Sequence, residues 1–400
     1  MTRITTAYLF QKTAIDIASK QFDISEIQNQ IGTGKRLNKP SDGPAETARV
    51  IDLNQAIGRI DQFQRNSIFA NQRLGLEDAT LSSVNNSLLR VRDLALQANS
   101  GSQTGETRAI IRAEVEQRLQ ELLDYANARD GNGNYLFSGS KNRTQPFTQT
   151  ATGVAYNGDQ NQLSLKISGN RTIVASDSGY DIFVNIKNGN GDFVTSSNAA
   201  NTGDGVITVG SVIDNSVFQA NDFSITFTSP TTFDVVNNTT ATTILAGQNY
   251  VSGQAINFNG SEVAISGDPQ AGDEFQVNAS RRQNVFATLQ SFINALGIDP
   301  SDPADQAQLT QALDRTISDV DNALQNVLNT RTFIGTRQNS IDTANIENEG
   351  AKIELQTTRS QIEDLDYAQA ITQLQLQQTT LQAIQGAFAQ VRGQSLFNFL

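Results

Sequence analysis

The stretch FQKTAIDIASKQFDISEIQNQI, residues 10–31, decides how the start of this chain folds. Its apolar residues recur at intervals of seven, at Phe10, Ile17, Ile24 and Ile31, with Ile27 on the adjoining position. Apolar residues repeated every seven positions form one stripe along an α-helix, as in coiled coils. The stretch therefore predicts an amphipathic helix that packs lengthwise against another helix.

The next segment, GTGKRLNKPSDGPAE at residues 32–46, holds three glycines and two prolines. Both residue types interrupt helices, so the segment predicts a loop. Pro44 lies at its end, and proline is favoured in the first turn of a helix because it has no N–H to leave unpaired there. We therefore expect a new helix to begin at Pro44.

Helical spacing continues from about Ala45 to Ala98, with Leu74, Leu81 and Leu88 again seven residues apart. This pattern predicts a long amphipathic helix. After a turn, Thr104 is a candidate N-cap for a shorter helix that extends through Leu123, since its hydroxyl can accept an unpaired backbone N–H. Glycines then end this helix.

Residues 141–280 have a different character, because Gly, Asn, Thr and Ser are abundant there. Short alternating runs such as LSLKI, DIFVNI, FSITFT, FDVV, AINF and VAIS are separated by turn residues. Such runs predict β-strands. The block contains five basic and twelve acidic residues, a net charge of −7 within a chain of net charge −12. We expect this block to face solvent.

Helical patterns return from Asn284, break at residues 299–303 and then continue toward the end of the chain. The last part carries an apolar pattern at Leu374, Leu381, Ile384, Phe388 and Val391. The sequence thus predicts an α+β fold, with a long α-helical coiled coil or bundle from both chain ends and a β-rich domain inserted in the middle. Three domains are expected: a terminal coiled-coil (inner tube) domain of residues 1–44 plus 350–400, a helical bundle of residues 45–140 plus 281–349, and a β-rich outer domain of residues 141–280.

Several kinds of chemistry are excluded by composition. The chain has no cysteine and no histidine, so disulfides, thiolate catalysis, histidine-based catalysis and the usual zinc ligands are impossible. Its acidic balance and lack of a segregated basic patch disfavour nucleic acid as a partner. Polar residues interrupt every apolar run near the N-terminus, so neither a cleaved signal peptide nor a membrane-inserted span is expected. We predict no catalytic, cofactor-binding or metal site and no enzymatic activity.

The terminal stripes have an unusual number of polar members, such as Gln64 and Asp78 on one helix and Arg331 on another. Ordering a residue costs about 1 to 2 kcal/mol of backbone entropy, which a diluted stripe recovers poorly. We therefore expect these stripes to be marginal in an isolated chain and to be stabilised by assembly. The predicted assembly interface comprises Phe10, Ile17, Ile24, Ile27, Ile31, Leu374, Leu381, Ile384, Phe388, Val391, Leu396, Phe397 and Phe399.

The layout resembles that of the flagellin superfamily. Within it, four segments are similar to the hook-associated protein 3 family: MTRITTAYLF at the start, TGKRLNKPSDGPAETARV from Thr33, DGNGNYLFSGSKNRTQPF from Asp130 and TTLQAIQGAFAQVRGQSLFNFL at the end. The stretch YVSGQAINFNGSEVAISGDPQAGDEFQV, from Tyr250, also resembles the end of that family's β-domain.

This resemblance implies a structural subunit of the extracellular bacterial flagellum that joins hook-associated protein 1 to flagellin at the hook to filament junction. It also implies further partners, namely neighbouring copies of the chain, an export chaperone and the flagellar export apparatus. Export would pass through the flagellar secretion channel without a cleaved signal peptide. A chain that threads a narrow channel benefits from having no disulfides, and marginal terminal helices can order on docking.

Two other interpretations remain open from the sequence. A filament flagellin has the same terminal design and is the alternative of the same class. From a different class, the insert could bind or cleave a surface glycan, because carboxylate pairs are the one type of catalytic group left by the composition. No feature of the sequence picks out such a pair.

Overall fold

The computed structural model describes residues 6–101, 103–151 and 153–393. Its contacts divide the chain into two compact units. The first unit combines Met1–Arg65 with Ala344–Leu400, and the second is Asn66–Thr343. Both ends of the chain therefore contribute to one unit, while the middle forms the other.

Six α-helices form the helical part of the described residues. They are α1 (Thr6–Thr33), α2 (Pro44–Ala98), α3 (Gly105–Ala126), α4 (Val285–Ala295), α5 (Pro303–Glu363) and α6 (Tyr367–Gly393). The predicted loop after α1 and the start of α2 at Pro44 are confirmed. Thr104 is the N-cap of α3, where its hydroxyl accepts the N–H of Thr107 at 3.3 Å. No described helix combines the length and apolar character needed to span a membrane.

Within the second unit, the apolar stripes of α2 and α5 are buried inside the chain. The fully or almost fully buried members are Leu74, Leu81, Val84, Leu88 and Val91 on α2 and Val320, Val327 and Ile334 on α5. The polar stripe residues are used as well, since Arg331 donates to Asp78 at 2.8 Å across the two helices. Arg92 and Asp321 form a second such pair. The stripe in this unit is therefore completed without a second subunit.

Fifteen strands lie between α3 and α4 in the described part. They are β1 (Phe147–Thr150), β2 (Gly153–Tyr156), β3 (Ser164–Lys166), β4 (Thr172–Val174), β5 (Ile186–Lys187), β6 (Phe193–Ser197), β7 (Val206–Ile207), β8 (Ser211–Val212), β9 (Phe223–Ser229), β10 (Thr232–Asn237), β11 (Thr242–Asn249), β12 (Ala255–Phe258), β13 (Ser261–Ser266), β14 (Glu274–Ala279) and β15 (Arg282–Gln283). The predicted α+β class, with helices from both chain ends and a β-rich insert, is confirmed.

Two sheets of the insert pack face to face around one apolar core. One sheet has the order β11-β10-β9-β14-β6, and the other has the order β12-β13-β7 with β8 also pairing with β13. Alternate residues of these strands enter the core, as period-2 patterning requires. The core residues are Phe193, Ile207, Phe223, Ile225, Phe227, Phe233, Val235, Ile256, Phe258, Val263, Ile265, Phe275 and Val277.

The strand predicted for DIFVNI, residues 181–186, is wrong over residues 181–184, because Tyr180–Val184 is a turn of π-helix, whereas Ile186 does lie in a strand, β5. The N–H of Asn185 donates to the carbonyl of Tyr180 at 2.8 Å, the five-residue spacing of that helix. Ile182 and Phe183 are both buried there. Adjacent residues of a strand point to opposite faces, so the burial of both neighbours breaks the alternation that a strand with one solvent-facing side would show.

A second feature, which the apolar pattern did not mark, is a break within the C-terminal helices. The helical run breaks after Glu363, and α6 begins at Tyr367. The break contains neither glycine nor proline, which explains why no breaker signal marked it. The break lies against the loop after α1, whose backbone pairs with it.

Candidate assembly surface

The terminal helices α1 and α6 pair with each other inside the first unit. The rings of Phe10 and Phe388 meet edge to face, with centroids 5.5 Å apart, and Ile27 is buried. Edge-to-face contact is a favoured arrangement of aromatic rings because the positive edge of one meets the negative face of the other. Residues at the two ends of the sequence thus form one helical pair.

Most of the predicted interface residues lie in this pairing within one chain. Ile27 is buried, whereas the following are half-buried: Phe10, Ile17, Ile24, Ile31, Leu374, Leu381, Ile384 and Phe388. The side chain of Val391 and all of Leu396, Phe397 and Phe399 lie outside the described residues. Half-buried side chains keep one flank exposed, so the pairing of α1 and α6 does not cover this seam completely.

A second apolar stripe on α1 was missed by the sequence reasoning. Tyr8, Ile15 and Phe22 are 59%, 62% and 66% exposed, and they are spaced seven residues apart. They lie two positions before the seam residues, on another face of the helix. Their spacing was visible in the sequence, but it was hidden behind the stronger isoleucine pattern. Large exposed apolar side chains in a row mark a surface for binding another protein.

The loop after α1 clasps the break between α5 and α6. The backbone N–H of Arg36 donates to the carbonyl of Glu363 at 2.8 Å, and the N–H of Leu365 donates to the carbonyl of Gly34 at 3.0 Å. Lys35 also forms an ion pair with Glu363. These bonds satisfy backbone groups at the ends of helices, which otherwise lack partners. The loop after α1 and the break between α5 and α6 are therefore bonded to each other, and we call this pair of segments the joint.

A cavity of about 640 Å³ lies beside this joint, between α1 and the loop of residues 38–42. The exposed ring of Phe22 and the side chain of Asp42 both line it. Backbone N–H groups of Lys39 and Asn38 donate to the Asp42 carboxylate and lower its pKa. Asp42 is therefore ionised at neutral pH and holds the loop in place.

The described residues contain no group of three or more acidic side chains placed to hold a metal ion. Burial, followed by the charge of Asp177, raises the pKa of Glu77 on α2 well above its ordinary value. Burial likewise raises the pKa of Asp319. Both acids are enclosed by protein, with Asp319 accepting the N–H of Gly189 at 2.7 Å. They hold segments of the fold together.

Family models match both helical ends and part of the insert. The bacterial flagellin N-terminal helical region matches residues 4–142, and the flagellin C-terminal helical region matches residues 317–400. Residues 196–279 match the D2-like domain of flagellar hook-associated protein 1. Paired terminal helices around a β-rich insert thus define a structural subunit of the flagellin class.

Individual relatives narrow this class. Flagellar hook-associated protein 3 of Escherichia coli (strain K12) is 26% identical over 398 residues, which are 99% of this chain and 98% of the relative. A crystal structure described as the flagellar junction protein FlgL from Legionella pneumophila is 30% identical, with a TM-score of 0.72, over 79% of this chain and 99% of that chain. By contrast, flagellin of Listeria monocytogenes serovar 1/2a is 29% identical over 166 residues, 42% of this chain and 53% of that flagellin.

The chain belongs to the flagellar hook-associated protein 3 (FlgL) family. It is a structural protein of the hook to filament junction, not an enzyme, and is part of the extracellular flagellum.

Proposed function

We propose that this protein is the adaptor that joins hook-associated protein 1 to flagellin, with neighbouring copies of the chain forming a ring between them. The observation that carries this proposal is the length of the similarity. Hook-associated protein 3 of Escherichia coli matches 99% of this chain, including the β-rich insert, whereas Listeria flagellin matches 42%. The insert distinguishes a junction adaptor from a filament subunit.

The three expected domains take their roles from this assembly. Residues 1–44 plus 350–400 form the inner tube, residues 45–140 plus 281–349 form the surrounding helical bundle, and residues 141–280 project outward. The acidic character of the insert, with a net charge of −7, supports its exposure to solvent.

Contacts between subunits use the free flanks of the seam formed by α1 and α6 together with the exposed stripe of Tyr8, Ile15 and Phe22. Burying those three large apolar side chains stabilises the contact by about 25 cal/mol for each Å² of apolar surface removed from water. Such burial offsets the entropy of ordering the terminal helices, which is coupled folding and binding. We propose that the thirteen predicted interface residues make these contacts between subunits.

Export in an unfolded state through the flagellar secretion channel, with help from an export chaperone, completes the proposal. The composition supports it, since a chain without cysteine carries no disulfide that must be reduced before threading. The paired terminal helices are held by few fully buried side chains, with Ile27 and Ala370 the buried apolar members on α1 and α6 in the described part. A weakly buried pair opens at low cost.

The experiment is complementation of cells that lack this gene, which should keep their hooks but shed flagellin into the medium. Full-length protein should restore filaments, and a chain without residues 381–400 should not. Because a deletion is drastic, Phe388→Asp gives a finer test, with Gln390→Asp as the matched control at an exposed position of the same helix. The control should assemble and Phe388→Asp should not.

If the deletion variant still builds filament-bearing hooks, docking through the C-terminal helix is not required and this part of the proposal is wrong. The flagellin alternative has a separate test, which is seeding of purified protein under precipitating salt. A filament flagellin grows long filaments by itself under these conditions, whereas a junction adaptor does not.

A further inference from the structure

The insert contains a long uncharged surface within an acidic domain. Between Asp234 and Glu262 the chain carries no charged residue, although the whole chain has a net charge of −12. This stretch includes β11 and β12. Two copies of an acidic domain repel each other wherever their carboxylates face, so an uncharged patch is where one copy can approach another at least cost.

The edges of both sheets lie open at this patch. Strand β11 is the edge of the five-stranded sheet, and β12 is the edge of the smaller sheet. Seven of the eight β11 residues are exposed, and the strand holds neither proline nor a charged side chain. Proteins usually protect edge strands with such residues, although two register irregularities with β10 give some protection here.

A groove of about 260 Å³ runs between these two edges. Leu245 and Gln248 from β11 line one side, Ile256 and Asn257 from β12 line the other, and Tyr250 lies in the connection. The hydroxyl of Tyr250 donates toward the carbonyl of Gly267 at 2.7 Å, so its ring is fixed in place. The groove is a formed, uncharged concavity.

An exposed apolar knob lies at the end of the smaller sheet, beside the turn between β12 and β13. Strand β8 pairs with β13 on the side away from β12, and the next two N–H groups, of Ile213 and Asp214, donate to the carbonyl of Gly260 in the β12–β13 turn. Ile213 and Val217, in the turn after β8, are each 53% exposed. The turn is held by Asp214, whose carboxylate accepts the N–H and the hydroxyl of Ser216. We call Ile213 and Val217 the knob.

We propose that the knob of one copy docks into the groove between β11 and β12 of the next copy, so that the inserts contact each other head to tail. A contact between two different patches of the same chain repeats from copy to copy, as a ring or helical tier requires. The knob lies beside the β12–β13 turn and the groove lies along β11 and β12, so the two patches are different surfaces of one insert. This inference rests on the proposed assembly of neighbouring copies and names the surface that the inserts use.

Cysteine crosslinking tests the contact cleanly, because the chain has no cysteine of its own. Val217→Cys and Gln254→Cys, at the rim of the groove, are each expressed alone and together in cells that lack the native gene. After mild oxidation, junctions that contain both variants should yield disulfide-linked dimers, and junctions with either variant alone should not. A double variant should yield a ladder of higher multimers.

The matched control pairs Gln254→Cys with Ala200→Cys, an exposed position elsewhere on the insert. Junctions that assemble and support filaments, yet crosslink no more than this control, overturn the inference and leave the adaptor function standing. Loss of the adaptor function would instead appear as failure of the unmodified chain to restore filaments.

A second measurement needs no cysteine. Val217→Asp places a carboxylate in the uncharged groove, so junctions with this variant should release filaments at lower shear than junctions with Ala200→Asp. Equal shear resistance of the two variants contradicts the knob-and-groove contact. This measurement decides the question even if a cysteine variant fails to assemble.

Discussion

The guanidinium of Arg337 on α5 binds both carboxylate oxygens of Asp177, at 2.7 and 2.8 Å. The side chains are 19% and 8% exposed, so water screens this pair little. Asp177 lies in the segment between β4 and the π-helical turn, and its backbone N–H donates to Glu77 on α2 at 3.2 Å. Asp177 thus ties the insert to both long helices of the second unit, to α5 through its carboxylate and to α2 through its backbone N–H.

The first prediction concerns Glu77, which is fully buried and has one carboxylate oxygen without a hydrogen-bond partner among the described residues. Its charged neighbours are Arg73, Arg337 and Asp177, and Asp130 lies near Arg73. Two arginines balance two aspartates, so a neutral Glu77 leaves the cluster uncharged. Burial is the main cause that raises the pKa of Glu77 well above its ordinary value, and Asp177 adds to it.

A raised pKa in the folded state means that folding retains a proton. The stabilisation is fully present below the pKa of the unfolded carboxyl and is lost as the pH rises through the folded pKa. Each unit of difference is worth about 1.4 kcal/mol. Glu77→Gln should therefore match the native protein near pH 5, melt at a higher temperature at alkaline pH, and show a flatter pH dependence. Glu116→Gln, at an exposed site, is the control, and equal pH profiles of Glu77→Gln and the native protein would refute the assignment.

The second prediction compares two arginines on α5. Arg337→Ala leaves the carboxylate of Asp177 buried without its cation, and removing one partner of a buried pair costs about 3 to 5 kcal/mol. Arg331 also pairs with an aspartate, Asp78, but these side chains are 30% and 37% exposed. Arg331→Ala should cost at most about 1 kcal/mol, as exposed pairs do. Chemical denaturation of the two variants measures the difference, and equal losses would show that burial of the pair has no effect.

The third prediction tests whether the α2 stripe is completed within one chain. Leu81 is fully buried, so Leu81→Ala should lower the free energy of unfolding by about 2 to 5 kcal/mol through lost burial and a cavity. Leu89 on the same helix is 43% exposed, and Leu89→Ala should change it by less than about 1 kcal/mol. Dilute monomer is the sample, because a stripe that needs a second subunit would make both substitutions equally mild there.

Periodicity was sufficient to predict the helical regions and strands β3, β9, β10, β12 and β13. Seven-residue spacing located α1 and α2, and alternation located β9, β10 and β13, because one face of each element is buried by its own chain. From the sequence, the polar residues within the apolar stripes are interpreted as weakening helix packing. In the fold, Asp78 meets Arg331 across two helices that are far apart in sequence, and no local pattern indicates such a partner.

The features that escaped prediction depend on long-range contacts. The π-helical turn at Tyr180–Val184 exists because Phe183 packs against Phe147 and Phe286, which come from distant segments. The buried state of Glu77 depends on Asp177 and Arg337 in the same way. The second stripe on α1 had a visible spacing, but only the position of α6 shows which of the two stripes is left exposed.

The last prediction concerns the joint between the loop after α1 and the break before α6. Gly34 has φ +71°, and an added Cβ would lie 2.9 Å from the hydroxyl oxygen of Tyr367. Gly34→Ala should therefore cost about 1 to 2 kcal/mol for the left-handed backbone alone, and more because Tyr367 must move. Gly32 lies in α1 with open space around its Cβ position. Gly32→Ala should stabilise the helix by about 0.5 to 1 kcal/mol.

Thermal unfolding followed by helical circular dichroism measures both variants, and filament recovery in complemented cells reports whether the joint matters for assembly. The double variant Gly34→Ala with Tyr367→Phe removes the hydroxyl that the new Cβ approaches, so it should recover the steric part of the loss and keep the backbone part. If the double variant unfolds at the same temperature as Gly34→Ala, the contact with Tyr367 is not the cause. A loss of filaments in Gly34→Ala, together with normal filaments in Gly32→Ala, would assign the assembly defect to the joint rather than to α1 itself.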